Sequence, residues 1–234
     1  MLLEGQTLTH TVLKDRGKEI AIYSSQNPLF IANEIFCAHV YNPAELPIGE
    51  NDIVVDIGAN IGIFTLYAAL RTQNRVYAFE PLPVNCENIE QNVKANHLEN
   101  VCWFGTAVSD KPGTVKLYTS ESVSGNLLFD HNIQGKITKY IDVSCTTLPT
   151  IMDEQRLERI DFLKVDCEGS EGDIFRSLPP EYLRRIRKIA MEFHDNVSAM
   201  SHEALKQCLE SAGFVTKLSW NGRSPFGYLY AWQS

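Results

Sequence analysis

The sequence is short of positive charge. Its 234 residues carry 21 Lys and Arg against 29 Asp and Glu, a formal net charge of -8. Proteins that follow a nucleic-acid backbone need clustered cations, so no nucleic-acid partner is expected. The densest basic group, Arg184, Arg185, Arg187 and Lys188, reads as a solvated helix end. No apolar run is long enough to span a bilayer, so no membrane partner is expected either. The opening residues, MLLEGQTLTHTVLKDRG, lack the basic start and apolar core of a secretory leader, and a cytoplasmic location is the expectation. No two of the six cysteines (Cys37, Cys86, Cys102, Cys145, Cys167, Cys208) form a C-x-x-C pair, which disfavours a zinc knuckle. Their scatter suits buried thiols in a reducing compartment. Internal repeats and low-complexity tracts are absent as well.

What remains is an ordinary globular composition, 44% hydrophobic and 21% charged, with alternating strand and helix patterns. Residues up to about 28 read as short strands and turns ending at Gln26-Asn27-Pro28. Residues 30–41 have the spacing of an amphipathic helix stopped by Asn42-Pro43. The core starts near Asp52. IVVDIG, RVYAFEP, VCWFGTAVS, IDFLKVD and KIAMEF read as buried strands, IGIFTLYAALRT, VNCENIEQNVKAN, GDIFRSLPPEYLRR and SHEALKQCLESAG as helices. VKLYTS and YIDVSCTTL are expected to be extended, and FVTKLSW with YLYAWQS to close the chain as a hairpin. The expected fold is α/β, a Rossmann-like doubly wound sheet with a C-terminal antiparallel hairpin. Residues 1–45 form an N-terminal extension or lid and 46–234 the main domain.

Two constellations carry chemistry. Asp56-Ile57-Gly58-Ala59-Asn60-Ile61-Gly62 joins the first core strand to its helix. Its glycines permit a tight turn and a close approach to a ligand. A dinucleotide fingerprint needs G-x-G-x-x-G, but Asn60 stands where the second Gly belongs and Phe64 is not the third. A ligand without pyrophosphate fits better, S-adenosylmethionine being one. Asp56 would face its ammonium, and Glu80, before Pro81 at the end of the second strand, would accept from the ribose hydroxyls. The second constellation is Lys164-Val165-Asp166-Cys167-Glu168-Gly169-Ser170-Glu171, with Glu192-Phe193-His194-Asp195 ending the next strand. Asp166, Glu192 and His194 converge on the crevice as a base, as hydrogen-bonding groups or as ligands for a hard divalent cation. Glu171 reads as an acid at the start of a helix.

Taken together, VVDIGANIG (54–62), FEP (79–81), TAVSD (106–110) and IDFLKVDCEGSE (160–171) resemble the FkbM family of methyltransferases over roughly residues 50–195. The resemblance implies the class I methyltransferase fold and S-adenosylmethionine as donor. It implies that Asp56, Gly58, Asn60 and Gly62 line the methionine end, that Glu80 holds the ribose, that Thr106, Ala107 and Val108 lie near the adenine, and that Asp166 lies near the transferred methyl. Ala59, Phe64, Thr65, Pro81 and Asn85 complete the expected cofactor set. The loop around Ser124-Gly125-Asn126 is expected to border cofactor or acceptor.

The implied reaction is methylation, most simply at a hydroxyl of a small molecule such as a sugar, polyketide or other secondary metabolite. Asp166 or His194 is expected to handle the proton, with Glu168 and Glu192 positioning it. In the variant mechanism a magnesium-type ion sits on Asp166 and Glu192. Tyr23, Phe36 and Tyr41 are candidates for an acceptor pocket, whereas Trp103, Phe104, Trp220, Phe226, Tyr228 and Trp232 read as core or edge packing. A homodimer is compatible with all of this. Rival readings are a nicotinamide-dependent oxidoreductase and a non-catalytic cofactor-binding relative. A nucleic-acid methyltransferase is disfavoured by the charge and by the lack of a D/N-P-P-Y/F tetrapeptide.

Overall fold

A computed structural model describes residues 9–24, 27–119 and 139–233. The loop at Ser124-Gly125-Asn126 therefore lies outside the described residues. The chain opens with a hairpin of β1 (Thr9–Asp15) and β2 (Lys18–Ser24), then α1 (Leu29–Phe36). The core follows as β3 (Val54–Ile57), α2 (Ile63–Ala69), β4 (Val76–Phe79), α3 (Pro83–Ala95) and β5 (Val101–Phe104). A small sheet comes next, β6 (Ala107–Val108), β7 (Gly113–Thr119) and β8 (Lys139–Thr146). Then come α4 (Leu148–Glu154), β9 (Phe162–Val165), α5 (Glu171–Ser177), α6 (Pro180–Leu183) and β10 (Lys188–His194). The chain finishes with α7 (His202–Ser211), β11 (Phe214–Ser219) and β12 (Phe226–Gln233).

The main sheet has the order β5-β4-β3-β9-β10-β12-β11. The pairs from β5 to β10 are parallel, and β12 runs against both its neighbours, so the terminal hairpin inserts its second strand between β10 and β11. The chain leaves β3 toward β4 on one side and returns to β9 on the other. That reversal opens a crevice at the carboxyl ends of β3 and β9, where open α/β sheets bind ligands.

Strand alternation sends successive side chains to opposite faces. Val55, Ile57, Leu163 and Val165 join a core beneath α4, α5 and α7. Val54 and Phe162 join the other core, beneath α2 and α3. Both cores are fully dry at their centres: Val54, Phe162, Leu163 and Phe193 are all 0% exposed. Residues of β2 and α1 (Ile20, Ile22, Ala32, Ile35) are buried in that second core, so the N-terminal extension packs onto the same body. Its hairpin turns at Arg16 and Gly17, both at positive φ. It docks on α3 through Asn92 and Asn96, whose side chains bond the backbone of Tyr23 and Ala21.

Several elements differ from expectation for local reasons. VCWFGTAVS is two strands, because the chain leaves the main sheet at Gly105-Thr106 and pairs Ala107 and Val108 with β8. YIDVSCTTL is extended only to Thr146, and α4 begins at Leu148: Thr147 caps it by accepting from the Thr150 N–H, and Pro149 falls in the first turn, where its missing donor is harmless. Pro179-Pro180 divides the expected helix after Gly172 into α5 and α6. α1 stops five residues before the expected Tyr41, and His39 at positive φ turns the chain back toward the crevice. Among the six free cysteines, Cys145 is buried and Cys37 exposed. No helix among the described residues is long and apolar enough to cross a membrane.

Candidate active site

The crevice is a cleft of about 820 Å³, within the usual range of about 300–1,000 Å³ for small-ligand sites. One end is framed by the turn after β3. Gly58 has φ 75°, and a Cβ there would lie 1.7 Å from the Asp166 carbonyl oxygen, so only glycine lets the ends of β3 and β9 touch. The N–H groups of Gly58 and Ala59 both donate to Phe79 O, which draws the turn over the end of β4. Glu80 follows. Its Oε2 accepts from the Asn60 N–H at 2.8 Å, and its Oε1 accepts from the Leu82 N–H at 2.9 Å and the Asn85 amide at 3.2 Å. Burial pushes the Glu80 carboxyl up to about 7 against the pull of these donors.

At the other end, residues of three neighbouring segments meet. Lys164 pairs in register with Asp56 across β9 and β3. Its ammonium, on a residue 3% exposed, lies 3.2 Å from Asp56 Oδ1 and 3.7 Å from Asp166 Oδ2, and donates to Gly58 O at 2.6 Å. Burial alone would lower this lysine, but the two aspartates outweigh it and raise it, so it stays charged. The Tyr41 hydroxyl lies 2.8 Å from Asp166 Oδ2 and 2.8 Å from Glu192 Oε2. Its ring packs edge-on against Phe64 and Tyr228, and the Tyr230 hydroxyl pins the preceding carbonyl of Val40 at 2.6 Å. Burial, then the charge of Asp166, pushes the Glu192 carboxyl up to about 7.

His194 stands beside them. Its Nδ1 is 3.1 Å from Glu171 Oε1, and its Nε2 is 3.5 Å from Glu168 Oε2. Burial would lower it, but Glu171, Asp166 and Glu168 together push it up to about 10. Glu171, 0% exposed, also accepts from the N–H groups of Cys167 and Gly169. It thereby knots the turn after β9, in which Glu168 itself adopts positive φ.

A glycine-turned strand end, a ribose-type acid on the next strand and a carboxylate pair across the reversal point suit group transfer from a nucleoside-bearing donor. The profile described as "Methyltransferase FkbM domain" matches residues 56–216. Methyltransferase sdnD of Sordaria araneosa is 32% identical over 192 residues, covering 70% of this chain and 73% of that protein. The chain belongs to the FkbM methyltransferase family. It is also 25% identical to the 31-O-demethyl-FK506 methyltransferase FkbM of Streptomyces tacrolimicus, covering 80% of this chain and 83% of the relative. Among solved structures, the fibrillarin pre-rRNA processing protein of Methanococcus jannaschii superposes with a TM-score of 0.53 over 99% of this chain and 86% of its own, at 14% identity. That likeness concerns the fold, which is the class I methyltransferase fold.

On this FkbM-family scaffold Gly58, Ala59, Asn60, Phe64, Glu80 and Pro81 line the cleft. So do Asn85, Thr106, Ala107, Val108 and the acids Asp166, Glu168 and Glu192. Asp56, Gly62 and Thr65 do not. Alternation turns Asp56 under α2, where it is 0% exposed and accepts from the Thr65 hydroxyl at 2.7 Å. It does not line the cleft, which disfavours the expected direct contact with a ligand's ammonium; it anchors Lys164. Gly62, at φ 85°, faces α3, with Ile89 3.0 Å from where a Cβ would sit. The acids around His194 raise it, which weighs against the expected role of base. Of the aromatic candidates, Tyr41 reaches the cleft. Tyr23 stacks on His10, and Phe36 packs against Tyr67. Phe226 and Tyr228, read as packing, line the cleft. Lys164 was missed as a site residue, because inside an apolar strand its meaning rests on its register with Asp56.

The expected cation site on Asp166 and Glu192 does not fit. The Tyr41 hydroxyl occupies the space between the two carboxylates, and the Lys164 ammonium already neutralises Asp166. Asp166, Glu168 and His194 do bring one ligand atom each within 4.8 Å of one another.

Proposed function

We propose that this chain transfers a methyl group from S-adenosylmethionine to a hydroxyl of a small molecule. The observation that carries the reading is the placement of the Asp166 carboxylate at the reversal point, in the same cleft as Glu80. A ribose-holding acid and a proton-accepting acid thus share one cavity. Glu80 has about four acceptor sites, and Asn60, Leu82 and Asn85 use three. Glu80 would hold the ribose hydroxyls of the donor through the acceptor capacity these contacts leave. Bound S-adenosylmethionine supplies a methyl group activated by its cationic sulfur.

Every other step belongs to the chain. An alcohol is a weak acid, so its oxygen attacks only as its proton is removed. Asp166 is the group in place to take it, and Lys164 and Tyr41 fix that carboxylate in orientation. Positioning of the two reactants supplies several kcal/mol of the remaining barrier, on the order of 7–11 kcal/mol at best. The imidazolium of His194 holds Glu168 and Glu171 in place rather than accepting a proton.

The acceptor is a small molecule rather than a nucleic acid. Glu34, Glu80, Asp166, Glu168 and Glu192 line the cleft against Lys164 and His194, a balance that repels phosphodiesters. The O-methyltransferase name of the Streptomyces tacrolimicus relative supports oxygen as the acceptor atom. The test is transfer from methyl-labelled S-adenosylmethionine to a panel of sugars, polyketide alcohols and matched primary amines. Labelled methyl ethers are expected. Labelled amines without ethers would overturn the oxygen assignment, and failure of the folded protein to bind the donor would overturn the whole reading.

A further inference from the structure

Three oxygens stand in a row, Asp166 Oδ2, Tyr41 O and Glu192 Oε2, each 2.8 Å from the next. A phenol has one hydrogen and can donate it to one neighbour. The other contact, at hydrogen-bond length, needs a hydrogen from the carboxyl on that side, since two bare acceptors at that distance repel. The array therefore holds two hydrogens, the phenol's own and one more.

We propose that Tyr41 is a positioning residue that joins Asp166 and Glu192 into a relay, in which Glu192 holds the second hydrogen at rest and releases it as Asp166 takes the acceptor's proton. At rest the Glu192 carboxyl donates to Tyr41 O, and the Tyr41 hydroxyl donates to Asp166, whose outer oxygen is left free for the acceptor. During transfer the acceptor's O–H bond breaks and its hydrogen joins Asp166. The hydrogen sits on the outer oxygen of Asp166, so its inner oxygen, no longer a carboxylate, lets go of the phenol; the Asp166–Tyr41 contact lengthens, the phenol hydrogen rotates to Glu192, and Glu192 gives its own hydrogen to water. One proton enters, one leaves, and the row holds two throughout. This inference rests on the reading of Asp166 as the proton acceptor.

The surroundings suit it. Glu192 is only half-buried and lines the cleft, so its proton has a way out. Its carboxyl, raised to about 7, can exchange a proton at neutral pH. Burial, then the charges of Asp166 and Glu192, raises Tyr41 far above the ordinary phenol range, so Tyr41 passes hydrogen bonds along and is not itself ionised. The other charged or titratable groups facing the row are Lys164 on β9, Glu168 and His194 beside Asp166, Glu34 on α1, and Tyr228 on β12. Lys164 lies 3.7 Å from Asp166 Oδ2 and favours leaving Asp166 as the proton-free end, whereas the cation acting on Glu192 is His194.

The experiment is a carboxyl-carbon NMR titration of the ligand-free protein labelled at Glu, with the Glu192 signal assigned by its loss in Glu192→Gln. Tyr41→Phe keeps the buried ring and removes the oxygen. Since Tyr41 accepts from the protonated Glu192, that variant should lower the Glu192 midpoint by about one pH unit. An unchanged or raised midpoint would mean that the phenol donates to Glu192, and the relay would be overturned. A second measurement is turnover of labelled donor. Tyr41→Phe and Glu192→Gln should each lower kcat about 10- to 100-fold, with donor KM unchanged and the rise of kcat with pH displaced in Tyr41→Phe. Because the titration needs no substrate, it tests the relay separately from the methyl-transfer reading. A lowered midpoint in a protein that methylates nothing would sink the function and leave the row of oxygens standing.

Discussion

The two ends of the cleft are held together by different kinds of contact. Around Glu80 the donors are mostly main-chain N–H groups, from Asn60 and Leu82, on a turn that Gly58 and Phe79 lock in shape. Around Asp166 the contacts run between side chains from the loop after α1, from β9 and from β10. A backbone cradle cannot change its hydrogen count and suits a donor molecule that is the same in every turnover. A side-chain cluster can redistribute protons and can change its acceptor contacts by substitution. On the proposed function, the first end sets which donor is bound and the second what happens to it.

The sharpest break in this comparison is Asp166→Asn. It keeps the size of the side chain and an oxygen for Tyr41, but it cannot accept a proton. Turnover of labelled donor is expected to fall about 10²- to 10⁴-fold, with calorimetric affinity for S-adenosylhomocysteine nearly unchanged. Loss of affinity equal to the loss of turnover would place Asp166 in donor binding instead. Next in size is Gly58→Ala. The added Cβ meets the Asp166 carbonyl at a distance no packing tolerates, and φ 75° is strained for alanine. This substitution should destabilise the fold by about 3 kcal/mol or more and damage both ends at once, because Gly58 is where they touch. A melting temperature within a degree of the parent protein's would refute that contact. Glu80→Ala sits at the opposite extreme from Asp166→Asn: donor affinity should fall about 10- to 100-fold, while kcat at saturating donor changes little.

What the sequence made legible follows the same division. The first end was readable because its signals are local. Glycines at a strand–helix junction and an acid closing the next strand are adjacent in sequence to the elements that place them. Asp166, Glu168 and Glu192 were readable as strand-end acids for the same reason. Their relations were not. Tyr41 lies 125 residues from Asp166 in a loop without a motif, and it reaches the crevice only because His39 turns the chain and Tyr230 holds it. Asp56 was placed in the cleft by the habit of reading a strand-end acid as a ligand contact, but alternation and the register of β3 with β9 turn it onto Lys164. The proton state of His194 depends on Glu171, a residue whose local reading was only that of a helix-start acid. Local chemistry is written along the chain, whereas pairing across strands is written in register, and a single sequence shows the first far better.

The smallest effect separates the two ends by pH. Glu80 and Glu192 both stand near 7 in the folded chain against an ordinary value of 4.5. The folded state therefore holds protons that the unfolded chain has already lost. By linkage, each carboxyl's contribution to stability is fully present below about 4.5 and disappears as the pH rises through about 7. His194, raised from 6.5 to about 10, acts in the same direction at higher pH, its contribution being lost between those values. The melting temperature of the ligand-free protein should accordingly fall from pH 5 to pH 8, with Glu80, Glu192 and, above about 6.5, His194 each contributing to the fall, apart from the titration of other groups. Glu192→Gln should remove one share of that slope. Saturating S-adenosylhomocysteine should remove a second, leaving that of His194, since ribose hydroxyls donating to Glu80 favour its ionised form. If the ligand leaves the slope intact while Glu192→Gln reduces it, Glu80 does not touch the donor, and the backbone-built end has been assigned to the wrong molecule.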